Sequence, residues 1–170
     1  MNEDKSIFWK NVMQYGLATG MSLIIFSVLI YFFDINPKSP IQYLTYLILI
    51  GGVVIAANNY KKTENIFLTY GKAFKIGFFV SVIAAFILAV YIFIFNKFID
   101  PDAISKMIKL SEQELIKHKE LTQEQIDASM QMIKKFSNIT TLTIASFFSI
   151  VLNGTLLSLI TSIFVKSRKR

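Results

Sequence analysis

Residues 76–96 read IGFFVSVIAAFILAVYIFIFN, a stretch without one charged side chain, set between Lys72 and Lys75 before it and Lys97 after it. An α-helix rises about 1.5 Å per residue and the hydrocarbon core of a bilayer is about 30 Å thick, so roughly 20 apolar residues cross it. This stretch is long enough. Three more uncharged runs of that length lie at 11–33, 39–60 and 136–165. The pattern predicts an all-α, polytopic membrane protein in which four transmembrane helices form a bundle and most of the chain has lipid as its solvent.

Composition agrees. The 170 residues are 54% hydrophobic and 17% charged, with sixteen Phe. A soluble chain could bury one core, but it could not hide four such runs without polar faces. The first run follows MNEDKSIFWK and outlasts the apolar region of a signal peptide, typically about 7 to 15 residues, so it reads as a retained span. The expected spans are about 12–33, 41–58, 74–96 and 139–165, within a single membrane domain over 1–170. The absence of cysteine excludes disulfides and thiolate metal sites.

Four crossings put both chain ends on one side. Lys5, Lys10, Lys61, Lys62, Lys72, Lys75, Lys166, Arg168, Lys169 and Arg170 fall there, whereas the other side holds Lys38 and the lysines of the 96–138 segment, where acids balance them. The bias in basic residues predicts cytoplasmic termini. The net charge of +7 is thereby assigned to membrane edges. No nucleic-acid motif accompanies it, and no nucleic-acid partner is expected.

Between the third and fourth spans, residues 100–137 form the one sizeable segment outside the membrane, expected as a helical extracytoplasmic insertion. Asp100-Pro101, Ser111-Glu112-Gln113-Glu114 and Thr122-Gln123-Glu124-Gln125 each offer a helix start. Ile126, Met130, Ile133 and Phe136 follow helical spacing, and Ile104, Met107, Ile108, Leu115 and Ile116 supply a facing stripe. Such a hairpin packs on itself or on the bundle mouth, docks an extracytoplasmic protein partner, or lies among head groups.

Small residues recur at every fourth position inside the spans: Gly16 and Gly20, Gly52 and Ala56, Ser81, Ala85 and Ala89, and Gly154, Ser158 and Ser162. They let helix backbones approach, either within the bundle or between copies of a homo-oligomer. Tyr-Gly-x-Ala occurs at Tyr15 and again at Tyr70, at the entry to both odd-numbered spans; a duplicated helical hairpin leaves such a trace, and so does a chance four-residue match in a chain of low diversity.

Chemistry is scarce. No Asp, Glu, Lys, Arg or His lies inside the four uncharged runs, where proton relays and ion-coupled carriers place ionisable groups. The one histidine, His118, sits in the charged stretch Lys117-His118-Lys119-Glu120, which reads as solvated surface. No phosphate-binding loop, nucleophile elbow or zinc motif is present. The expectation is a non-enzyme with no catalytic residue, no cofactor and no metal. The notable intramembrane polar residues are Ser149 and Asn153, on one face with Ala145. An interhelical hydrogen bond from Asn153, to Ser22, Ser27 or Ser81, or a polar line along a narrow pore would account for them. Asn58 and Asn59 read as an interfacial cap on the second span.

The entry to the third span, Tyr70-Gly71-Lys72-Ala73-Phe74-Lys75-Ile76-Gly77, its exit Tyr91-Ile92-Phe93, the Phe98-Ile99-Asp100-Pro101 start of the charged insertion and the final span resemble the domain of unknown function 4199 family over roughly residues 10 to 166. The resemblance implies a four-helix inner-membrane protein of Bacteroidota without an assigned activity, and it supplies no functional residue. Two functions remain: a scaffold or accessory subunit that presents the 100–137 hairpin to a partner, and a small oligomeric channel or transport component.

Overall fold

The computed structural model describes residues 2–35, 39–64, 68–117 and 122–167. These form six α-helices: α1 (Asn2–Phe32), α2 (Leu44–Glu64), α3 (Tyr70–Ile94), α4 (Ala103–Lys117), α5 (Gln123–Phe136) and α6 (Ile139–Val165). A 3₁₀ turn, Pro40–Tyr43, leads into α2, and a π-helical turn, Phe95–Ile99, ends α3. Four stretches are long and apolar enough to cross a membrane: Ser6–Phe32, Pro40–Thr63, Tyr70–Ile99 and Ile139–Val165. The protein is an all-helical, multi-pass membrane protein.

The chain divides into two compact units, one of residues 1–88 with 147–170 and the other of residues 89–146. In the first unit, helix contacts are set by the smallest residues. A Cβ placed on Gly16 would stand 2.7 Å from Ile83 Cβ, and one on Gly20 would stand 2.9 Å from Ile87 Cδ1, so α1 lies hard against α3. Gly77 of α3 meets both Ser158 of α6 and Val53 of α2. Gly154 of α6 abuts Ser81, and Gly52 of α2 abuts Thr19 of α1. The small-residue stripes therefore pack inside one chain, with α3 meeting each of the other three. Where apolar residues cover every face, small side chains point inward and large ones outward to lipid: Ala84, Ala85, Ser81 and Ser158 are fully buried, whereas Phe86, Phe148, Leu152 and Phe164 are exposed.

Toward the chain ends, Val12, Val53, Ala56, Tyr60, Leu68, Ile76 and Val80 form one buried cluster. The short connection between α2 and α3 is fastened to the end of α6. The Leu68 amide donates to Ser167 Oγ at 3.0 Å, and the Ser167 amide donates to the Leu68 carbonyl at 2.9 Å. At the other end, α1 stops at Asp34, whose φ of 48° lets its amide reach the Tyr31 carbonyl while the Ile35 amide reaches that of Ile30. This is the left-handed cap that ends many helices.

The second unit holds α4 and α5. Thr122 caps α5 with a full capping box: its hydroxyl accepts from the Gln125 amide, and the Gln125 side chain accepts from the Thr122 amide. Ile126 and Met130 are buried, and Ile104, Ile108 and Leu115 are half-buried. Phe136, Met107 and Ile116, placed in the stripes by their spacing, are instead exposed. At Asp100 the helix begins later than the sequence suggests, because Asp100 closes the π turn through its amide to the Phe95 carbonyl and α4 starts only at Ala103. Ser111 starts no helix. It lies inside α4, its hydroxyl donating to the Met107 carbonyl at 3.0 Å, so the expected three starts reduce to two.

Two other expectations also change. Asn58 and Asn59 cap nothing, since α2 continues to Glu64. The Tyr-Gly-x-Ala echo falls at unlike places: Tyr15 is deep within α1 and Gly16 is packed, whereas Tyr70 opens α3 and nothing stands within 4 Å of Gly71's virtual Cβ. The two copies do not occupy equivalent positions.

A branched side chain at Gly77 would have to displace α2 or α6. Gly77→Val is expected to cost about 1 to 3 kcal/mol, the usual range for overpacking, whereas Gly71→Val is expected to cost less than half of that. Thermal inactivation midpoints of the two variants in the same detergent check the contrast.

Candidate functional site

Within a bilayer a hydroxyl on a helix has no water to bond, and it commonly turns back to the carbonyl one turn earlier. The first unit follows that rule closely. Thr19 bonds the Tyr15 carbonyl at 2.7 Å, Ser22 that of Ala18 at 2.9 Å and Ser81 that of Gly77 at 2.8 Å. Thr155 bonds Val151 at 2.7 Å, Ser158 bonds Gly154 at 2.6 Å, and Thr161 bonds Leu157 at 2.8 Å. These hydroxyls are thus satisfied within their own helices, and the contacts made by the small residues between helices are steric; the Tyr70 hydroxyl of α3 is an exception, donating to the Leu159 carbonyl of α6 at 3.3 Å.

Asn153 obeys the same rule, which corrects the expectation of an interhelical bond. Its Nδ2 donates to the Ser149 carbonyl at 2.7 Å and approaches Ser149 Oγ at 3.4 Å. Of the three proposed partners, Ser22, Ser27 and Ser81, the first and last donate to carbonyls of their own helices. Ser149 is exposed and Asn153 half-buried, so the pair faces away from the packed interior.

What the pair faces is a cleft of about 460 Å³ lined by Leu23 of α1, Ser39, Gln42 and Tyr43 of the turn before α2, Thr45, Tyr46 and Leu49 of α2, and Ser149, Ile150 and Asn153 of α6. Seven of these ten side chains can hydrogen-bond, and none is an acid, lysine, arginine or histidine. The side chains of Gln42, Thr45, Tyr43 and Tyr46 make no hydrogen bond among the described residues. The Tyr43 and Tyr46 rings lie 6.4 Å apart, inclined by 30°. The cleft can therefore donate and accept hydrogen bonds to an uncharged group, but it has no side chain suited to general acid or base work near neutral pH. Among the described residues, no three His, Asp or Glu side chains gather as a metal site would require.

Sequence reasoning found Ser149 and Asn153 and missed Gln42, Tyr43, Thr45 and Tyr46. Their signal was present: Gln42 and Thr45 are polar residues in the first turns of a span, where a merely lipid-facing helix has no use for them. A second polar feature was also missed. Asn11 Oδ1 and Tyr60 Oη are buried without a hydrogen-bond partner among the described residues. The Tyr60 ring meets Phe8 edge to face at 6.1 Å and carries Lys72 Nζ at 5.0 Å from its centroid. His118 lies outside the described residues.

A family model described as a protein of unknown function, DUF4199, matches residues 14–167. The chain belongs to that family. No curated protein and no solved structure matches it.

Two substitutions separate polar groups that support packing from those that do not. Asn153→Leu is expected to change stability by less than about 1 kcal/mol, since no second helix loses a hydrogen bond. Tyr60→Phe keeps the ring contacts and removes a buried unpaired hydroxyl, so it is expected to be neutral or to stabilise by about 1 kcal/mol. Unfolding midpoints in mixed micelles check both; a loss of stability in Tyr60→Phe would show that the hydroxyl is bonded in the membrane.

Proposed function

We propose that this member of the DUF4199 family is a non-enzymatic scaffold or accessory subunit of the bacterial inner membrane, which presents the α4–α5 hairpin to an extracytoplasmic protein partner. The observation that carries this reading is the hairpin's surplus of apolar surface. Ile126 and Met130 are buried, yet Met107, Leu110, Ile116, Met132 and Phe136 remain exposed, Met132 and Phe136 at 66% and 59%. Exposed methionine and phenylalanine beside Lys134 and Lys135 have the character of an adaptable protein contact. The basic flanks of the spans support cytoplasmic termini. Three crossings then carry the chain to the hairpin on the opposite face, and the fourth returns it.

A small oligomeric channel is the second reading, and it draws on the exposure of Ala145 and Ser149 along one line with Asn153. At Gly16, Gly52, Gly77 and Gly154 the helices of one copy close on one another, so this function is expected to use a homo-oligomer with that line facing its axis.

Replacing residues 103–136 with a short flexible linker is expected to leave membrane insertion intact while the protein loses its co-purifying partner, and Met132→Glu with Phe136→Glu is expected to weaken the same association at least tenfold. Quantitative affinity purification from native membranes reads both. Full retention of every partner would count against the scaffold, and ion or solute flux from liposomes holding only the purified chain would favour the channel.

A further inference from the structure

We infer that the cleft between α1, α2 and α6 binds the uncharged, hydroxyl-bearing head group of a glycolipid, entered from the leaflet opposite the chain ends. This goes beyond the scaffold reading and rests on different residues. The first observation is a contrast in hydrogen bonding. Hydroxyls on the packed stripes of α1, α3 and α6 turn back on their own helices, but Gln42, Thr45 and the hydroxyls of Tyr43 and Tyr46 are left without partners among the described residues at the start of a span. Asn153 commits its Nδ2 to Ser149, which leaves Oδ1 to accept from the cleft. Polar groups bordering hydrocarbon are costly when unpaired, so a ligand that pairs with them is strongly favoured.

Charge then selects the ligand class. With no acidic or basic side chain among the described lining residues, a phosphate or ammonium brought out of water would meet no countercharge from them, whereas a sugar's hydroxyls need only the amides and hydroxyls present. The Tyr43 and Tyr46 rings, 6.4 Å apart and inclined by 30°, offer a flat wall for the C–H face of a sugar ring. Tyr43 is 70% exposed and Tyr46 40%, so this wall stands at the open side where a lipid arrives. A volume of about 460 Å³ suits one sugar with the start of its glycerol, and it falls within the common range for ligand sites. Leu49 and Ile150 supply apolar contact below.

The test is photolabelling of the full chain in liposomes with a monoglucosyl diacylglycerol that carries a diazirine on the sugar. Label is expected in the peptides containing residues 39–46 and 149–153. Unlabelled glycolipid is expected to displace it, while phosphatidic acid and phosphatidylcholine are not. Gln42→Leu and Asn153→Leu are each expected to reduce labelling roughly tenfold, about the worth of one good hydrogen bond. Both are apolar substitutions that a span accepts, and gel filtration with an unchanged thermal midpoint verifies the fold. Labelling spread evenly along the spans, labelling unchanged in both variants, or displacement by phosphatidic acid or phosphatidylcholine as effective as by glycolipid would overturn the inference.

Discussion

The first unit depends on the close approach of α3 to its neighbours. At Gly77 one helix touches two others at once, meeting Val53 of α2 on one side and Ser158 of α6 on another. In lipid there is no hydrophobic gain in bringing apolar helices together, because the tails they leave are as apolar as the side chains they meet. Contact must be earned by dispersion at short range, which requires small residues where backbones meet. The pairs Gly16 with Ile83, Gly20 with Ile87 and Gly154 with Ser81 repeat the same solution. Each glycine provides the recess and the facing side chain fills it.

That arrangement governs where polar atoms can be placed. A hydroxyl on a packed stripe has a neighbouring helix against it and lipid beyond, so its nearest acceptor is the carbonyl four residues earlier. Thr19, Ser81 and Ser158 all use it. The cleft is where this economy stops. There the described lining combines amides, hydroxyls and two tyrosine rings without a carboxylate, lysine, arginine or histidine, and several of those groups have no partner among the described residues. The α4–α5 hairpin is the second place where a local rule is broken, since it keeps apolar side chains exposed in a segment otherwise balanced in charge. The two exceptions lie in different units, and we propose a different kind of partner for each, a lipid for the cleft and a protein for the hairpin.

Much of this was legible in the sequence, for physical reasons that can be named. Twenty uncharged residues in a row have one common structural outcome, so the four long helices followed directly from charge spacing. The Thr122 capping box was also readable, because its two hydrogen bonds involve residues only three apart. Ser111-Glu112-Gln113-Glu114 shows the limit of that logic: the same pattern sits within a helix that has already begun, and Ser111 turns back to Met107 instead. Asp100 misled for a related reason, as its amide is used to close the π turn. The bond of Asn153 to the Ser149 carbonyl is local, but the face of α6 that meets its neighbours depended on helix rotation, which four uniformly apolar segments do not encode. The cleft was hidden for the same cause. Gln42 and Asn153 are more than a hundred residues apart, and nothing in the chain between them announces that they line one space.

The most direct measurement of the account is the sidedness of the two ends and the hairpin, made possible by the natural absence of cysteine. Single cysteines at Gln131 and Ser167 would be exposed in turn to a membrane-impermeant maleimide, first on intact spheroplasts and then on inverted vesicles. Four crossings with cytoplasmic termini require labelling of Gln131→Cys from outside only and of Ser167→Cys from inside only. Labelling of both positions from the same side would contradict the four-span topology, and with it both the outward hairpin and the leaflet assigned to the cleft.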